Sequence, residues 1–364
     1  MSWNKKKLET IIQFKNGKKR PNSSGTIPVY GGNGILGYTN ESNYKDCIIV
    51  GRVGAYCGSV YYEPFECWIS DNAIAGQPKN DTDISYAYYL LSSLQLNRRH
   101  IGTGQPLLTQ SILNGIECLI PDIETQKKIS GFLGTIDQKI YLNEEVNKNL
   151  EQQAQAIFEN EFLSLQSLPD GWKLASLIDI ADYLNGLAMQ KYRPSTNEIG
   201  IPILKIKELR QGCCDDNSEF CSPSIKSDYI IHDGDVIFSW SGSLLVDFWC
   251  GGICGLNQHL FKVSSSKYDK WFYYAWTKHH LDRFIAVAAD KATTMGHIKR
   301  DELAKAEVLI PNEADYNRIG ALLQPIYDLT ISNRIENKKL AETRDSLLPK
   351  LMSGEIDMSE VDYE

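Results

Sequence analysis

The chain has 364 residues, 42% of them hydrophobic and 23% charged, with a formal net charge of −8. That length builds two or three cored domains, and that composition excludes disordered, collagen-like and disulfide-stapled classes. No run approaches the roughly 18 apolar residues of a membrane span, and the start, Met1-Ser-Trp-Asn-Lys-Lys-Lys, has no apolar core of a secretory signal, so a cytoplasmic protein is expected.

Charge is segregated along the chain. Residues 1–20 carry seven basic side chains against Glu9, and residues 262–300 carry eight against three aspartates. The acid lies elsewhere, in residues 122–161 and in the tail from Glu355 to Glu364. Local phosphate contact fits this division, although a solvated surface produces part of it too. The nine cysteines include no CxxC pair. Cys250 and Cys254 with Cys213, Cys214 or Cys221 could be drawn as a zinc site, but the paired spacing is missing and buried thiols are the better reading.

In chain order, Ile27 to Tyr38, Cys47 to Tyr62 and Cys67 to Ile74 alternate β-forming residues with glycines, the pattern of strands joined by tight turns. The glycine runs near 31–37 and 51–58 lack GxGxxG spacing at a strand–helix turn and read as turns and bulges. A helical segment spans Ile84 to Leu96, and Gly102-Thr-Gly-Gln-Pro106 forms a loop. Leu119-Ile-Pro-Asp122 then ends a strand and offers an aspartate cap to a long helix reaching about Phe162. Its apolar positions Ile129, Leu133, Ile136, Ile140, Leu150, Ala154 and Ile157, with Asn143 and Asn147 filling the gap, make a heptad seam.

A second strand-and-turn unit follows. It holds Ile201 to Ile206, Asp235 to Gly242 and Leu256 to Phe261, then one helix from about Lys270 to Ala289 and a loop through His297. Leu309-Ile-Pro311 opens another long helix with Ile319, Leu323, Ile326, Asn333, Asn337, Leu340 and Leu347 on its seam. Leu119 and Leu309 are 190 positions apart, as are Ile129 and Ile319; Trp3 and Trp172 are 169 apart, as are Asn16-Gly17 and Asn185-Gly186. The chain is therefore a repeat. Globular units occupy 1–121 and 166–311, long helices occupy 122–165 and 312–353, and an acidic tail occupies 354–364. Each unit reads as α+β, with a curved, mainly antiparallel sheet and a helix on one side.

A helix of about 40 residues spans roughly 60 Å, and its apolar stripe needs a partner. Its own copy is available. If the two run antiparallel, Asn143 and Asn147 either meet Asn333 and Asn337 and fix the register, or merely edge a short wet gap.

No GxxxxGK[ST], GxSxG or HExxH motif is present, and no nucleophile, base and orienter assemble. Binding is better supported. Reading DNA requires Arg or Lys for guanine, Asn or Gln for adenine, and amines for phosphates. The first unit offers Lys18, Lys19, Arg20, Asn33, Arg52, Asn72, Arg98, Arg99, His100, Thr103 and Gln105. The second offers Lys205, Lys207, Arg210, Trp240, Asn257, Gln258, His259, Lys291, Thr293, Thr294 and His297.

The chain resembles the specificity subunits of type I restriction–modification systems. The likeness rests on Ile27-Pro-Val-Tyr-Gly-Gly-Asn-Gly-Ile-Leu-Gly-Tyr38, Ile49-Val-Gly-Arg-Val-Gly54 and Gly102-Thr-Gly-Gln-Pro106. It rests also on Leu119-Ile-Pro with Gln126 and Ile129, and on Ser346-Leu-Leu-Pro-Lys-Leu-Met-Ser-Gly354. The resemblance implies two target-recognition domains, each reading one half of a split DNA site, and adds Tyr30 to the expected DNA contacts. It implies that the two long helices pair as an antiparallel coiled coil, set the gap between half-sites and dock two modification subunits. Catalysis and cofactors are then expected on partners: S-adenosylmethionine on modification subunits, ATP and magnesium on two restriction subunits. Two other readings compete. One is a fused methyltransferase–nuclease, or the recognition module of a type IIG or IIB-like enzyme; no NPP[YF] motif supports a fused catalyst. The other is a coiled-coil scaffold with carbohydrate- or protein-binding ends.

Overall fold

The computed structural model describes residues 3–79, 81–102, 104–290 and 300–358. By its internal packing the chain divides into two compact units, Met1–Lys139 with Leu340–Glu364, and Ile140–Lys339. The boundary falls inside both long helices, so each helix shares its length between the units.

In the first unit a six-stranded sheet runs Ile12–Asn16, Ala73–Pro78, Tyr44–Gly51, Val60–Ile69, Ile27–Gly31, Gly34–Thr39 across its width. All pairings are antiparallel except that between Ile27–Gly31 and Val60–Ile69. Strand Val60–Ile69 has a register shift opposite Lys45 and Cys47, and its end reaches Lys18, which bridges to Ser70. A strand bent in this way curls the sheet around an inner cluster of Tyr30, Cys47, Ile49, Cys67, Ile69, Ala73 and Ala75. The helix Ile84–Ser93, capped by the Asp83 carboxylate on the Tyr86 N–H, covers the outer face with Tyr86, Ala87 and Leu90.

The second unit repeats this scheme with one break. Asp182–Asn185, Leu260–Ser264, Val236–Ser239 and Leu245–Phe248 form an antiparallel sheet. Phe220–Cys221, Ile201–Leu204, Cys254–Leu256 and Ile230–Ile231 form another, with Ile201–Leu204 parallel to Cys254–Leu256. The single long strand of the first unit is here two strands, 245–248 and 254–256, interrupted at Gly251 and Gly252, where Gly252 has φ +91° and its carbonyl accepts the Trp249 indole N–H.

Equivalent registers confirm the repeat. Asn4 pairs with Ile120 and Lys173 with Ile310, which are the 169 and 190 offsets of the sequence. Gly17 N–H donates to Ala73 O and Lys18 N–H to Ile69 O; Gly186 N–H donates to Leu260 O and Leu187 N–H to Leu256 O. The expected single helix over 270–289 is instead two, Lys270–His279 and Leu281–Asp290. His280 sits at the break, held because its buried ring donates through Nε2 to Glu307 O at 2.8 Å.

The long helices are Ile123–Phe158, continuing as a π turn through Leu163, and Glu313–Ser353. Asp122 caps the first by accepting from the Thr125 N–H at 2.9 Å, and Asn312 caps the second through the Asp315 N–H at 2.9 Å. Their pairing is antiparallel. In the second unit Asn143 Nδ2 donates to Asn337 Oδ1 at 2.8 Å, Asn333 Nδ2 to Asn147 Oδ1 at 2.9 Å, and Arg318 pairs with Glu161 at 2.7 Å. The asparagines therefore meet, and the register reading holds over the wet gap. In the first unit Arg344 pairs with Asp137 at 2.6 Å. The remaining seam positions divide. Ile129 and Leu133 join the first core beside Leu351 and Met352. Ile319 and Leu323 join the second beside Phe158 and Phe162, with Ile326 packed against it. Ile136 is buried, while Ile140, Leu150 and Leu340 are half-buried along the pair. The sequence beyond the second helix is not all solvated tail: Met358 is buried in the first core and Ile356 packs against it. No helix among the described residues is long and apolar enough to cross a membrane.

Candidate nucleic-acid interface

The first unit brings several expected contacts to one end of its sheet. Arg52 follows strand Tyr44–Gly51, Asn33 sits in the turn between Ile27–Gly31 and Gly34–Thr39, and Asn72 in the turn before Ala73–Pro78. These turns touch: the Arg52 N–H donates to Asn72 O at 2.9 Å, and a Cβ on Gly32 would lie 3.6 Å from both Asn72 O and Val53 O. The loop bearing Gln105 closes on the same place, since Gly54 N–H donates to Pro106 O, and Val53 and Ile101 both bridge to Leu107. Lys18 joins through its bridge to Ser70.

Among the described residues, three groups here are unspent. The Arg52 guanidinium donates from Nη1 to Asp71 O at 3.3 Å, but its buried Nε has no partner; Ser70 Oγ and His100 Nδ1 are likewise buried and unpartnered. Buried polar atoms without partners are uncommon in folded proteins, and three of them adjoin these loops. Among the described residues Lys18, Lys19, Arg20 and Arg52 have no carboxylate partner; Arg20 donates to Leu36 O. Uncompensated cations beside exposed Asn33, Asn72 and Gln105 form a surface suited to phosphates and base edges.

The second unit builds an equivalent group. Trp240 follows strand Val236–Ser239, and Gln258 and His259 form the turn before Leu260–Ser264. The Trp240 indole N–H donates to Asn185 Oδ1 at 2.9 Å, its ring lies 6.1 Å from His259, and His259 Nδ1 meets Ser241 Oγ at 3.1 Å. Its cations are more encumbered. Lys205 and Arg193 both pair with Glu219, and Lys207 with Asp215 at 2.8 Å. Lys205 and Arg193 hold the Glu219 carboxyl below its usual range, as Lys207 does for Asp215. Arg210 reaches Ser243 Oγ at 3.4 Å.

Other expected contacts lie elsewhere. Tyr30 is a correction: it is 7% exposed, packs in the inner cluster and donates its hydroxyl to Glu63 at 2.9 Å. Burial and that carboxylate push its pKa up, so it serves the sheet interior. Asn257 is 9% exposed, and its backbone bridges to Leu187. Arg98 is exposed; Arg99 folds back, donating from Nε to Leu94 O, and borders a groove with Ser111 and Glu117. Thr103, Lys291, Thr293, Thr294 and His297 lie outside the described residues. Asn185 and Ser241, which fix Trp240 and His259, were not singled out from sequence as site residues; the repeated Asn-Gly pair pointed to Asn185 alone.

The nine cysteines are free thiols. No group of three or more His, Cys, Asp or Glu side chains among the described residues could hold a metal ion. Seven of the nine are buried, and burial pushes several thiols up.

Comparison with known proteins agrees with this architecture. The family model described as the type I restriction modification DNA specificity domain matches residues 1–152 and again residues 169–342. The chain is 26% identical over 313 residues to the type I restriction enzyme MjaIX specificity subunit of Methanocaldococcus jannaschii, covering 78% of this chain and 72% of that one. It is 21% identical over 327 residues to the HindI specificity subunit of Haemophilus influenzae, covering 69% and 71%. The fold is similar to that of a type I restriction–modification S subunit from M. genitalium, with a TM-score of 0.62 over 96% of each chain at 15% identity. Two family-model matches on two units with equivalent registers lead to one conclusion: this chain belongs to the type I restriction–modification DNA specificity family.

Proposed function

We propose that the chain is the DNA-reading subunit of a type I restriction–modification enzyme, with each unit reading one half of a bipartite, asymmetric site. One observation carries the proposal. The same turn positions recur in both units on the same hydrogen-bond register, yet they bear different recognition chemistry, Arg52 and Asn72 in one and Trp240 and His259 in the other. A repeat serving only structure has no need to vary there. Two different half-sites require it.

In this reading the chain performs no catalysis. Modification subunits bring S-adenosylmethionine and dock on the long helices, and restriction subunits bring ATP and magnesium. The first helix contributes Glu144, Lys148, Glu151 and Glu159 to a recess of about 800 Å³ in the second unit that Lys278 and Arg334 also line, a mixed-charge surface along that helix. Mixing the chain with duplex DNA, with and without modification subunits, tests the proposal. Binding should weaken steeply with salt, because phosphate contacts release counterions, and methyl transfer should appear only with modification subunits present. Methyl transfer by this chain alone, or binding indifferent to salt, would refute it.

A further inference from the structure

The strand registers of the two units correspond at the ends that carry the candidate contacts. Gly51 pairs with Ala73 in the first unit and Ser239 with Leu260 in the second. The residues one step past these strands, Arg52 and Trp240, therefore hold the same place on the scaffold. Asn72 and His259, one step before the returning strands, do likewise.

The surroundings of Arg52 set what it can offer. Among the described residues it has one arm of its fork tied to Asp71 O, a buried Nε without a partner, and no carboxylate neighbour. A half-buried guanidinium in that state is underused, and a planar fork of donors matches the two acceptors, N7 and O6, of a guanine edge.

We infer that this position specifies a base in the first reader, Arg52 selecting a guanine in the half-site of that unit. The inference rests on the DNA-reading function proposed above and goes beyond it by assigning base type to residue.

The test uses the full chain co-expressed with its modification subunits, reading methylated genomic DNA by single-molecule sequencing. Arg52→Ala should relax one guanine of a single half-site, by roughly 5- to 150-fold for a lost bidentate contact, and leave the other half-site unchanged. The untouched half-site reports that the variant chain is folded. Independently, the wild-type complex should bind more weakly when 7-deazaguanine replaces one particular guanine of the site, and this scan decides the matter should Arg52→Ala prove inactive at both halves. The inference is overturned if Arg52→Ala lowers methylation with the motif unchanged, as for a phosphate contact, or if no 7-deazaguanine substitution weakens wild-type binding. Absence of any two-part motif with the wild-type chain would instead overturn the function proposed above.

Discussion

Gly17 and Gly186 are glycines because nothing larger fits. A Cβ at Gly17 would lie 2.0 Å from Ser70 O, and one at Gly186 would lie 2.2 Å from Asn257 O. Those carbonyls belong to the turns that carry Asn72 and His259, so each glycine seats one of these turns against the strand beside it. Gly17→Ala should therefore cost about 3 kcal/mol, the upper end for overpacking, read as a lower urea midpoint. An unchanged midpoint would show that the turn can shift at no cost. His280 makes a second residue-scale prediction. Burial holds its pKa down to about 4 from an ordinary value near 6.5. The folded chain then resists a proton that the unfolded chain accepts, so the contribution of His280 to stability is full above pH 6.5 and is lost as pH falls toward 4. The stability gap between wild type and His280→Gln should narrow between pH 7 and pH 4.5; a constant gap would mean that His280 does not titrate across folding. At this scale the sequence was only partly legible. Residue types suited to base reading could be chosen, and Arg52, Asn72, Trp240 and His259 do share equivalent places. Tyr30 could not be told from a contact, because a tyrosine among glycines looks exposed until the sheet curls over it.

Among the elements, the long helices were the most readable, since a 3.5-residue apolar repeat, a capping Asp122 and a second copy 190 residues on leave few alternatives. What periodicity does not carry is which neighbours absorb the seam. Ile129 and Ile319 look alike in sequence, and both are drawn into globular cores. The asparagines in the middle are held by each other. Asn143→Ala would leave Asn337 Oδ1 and the Glu336 carboxylate without their 2.8 and 2.7 Å donor, so a loss of about 1–3 kcal/mol is expected. Equal stability of Asn143→Ala and wild type in urea would show water replacing the amide. Strand breaks were less readable. The division at Gly251 and Gly252 depends on Trp249 and its contact with the Gly252 carbonyl, which no local pattern announces. The break at His280 depends likewise on Glu307, a partner 27 residues away.

For the whole molecule, the repeat was legible before any coordinates. The offsets of 169 and 190 reappear as strand registers, and the difference of 21 is the room taken by the helix Ile206–Gln211 and the short strands of the second unit. The DNA bases were not legible, because a reader is defined by loop geometry more than by pattern. If the paired helices set the gap between half-sites, one heptad added to each helix, in register, should change the tolerated spacer and leave both half-site sequences intact. A heptad adds about 10 Å of helix, and 3.4 Å separates successive base pairs, so a change of about three base pairs is expected; an unaltered spacer would argue against a ruler. The most direct measurement of the central claim is the methylation motif written in a host carrying this chain and its modification subunits. The account predicts two unlike half-sites separated by a fixed run of unspecified bases. A single continuous motif, or two identical halves, would contradict it.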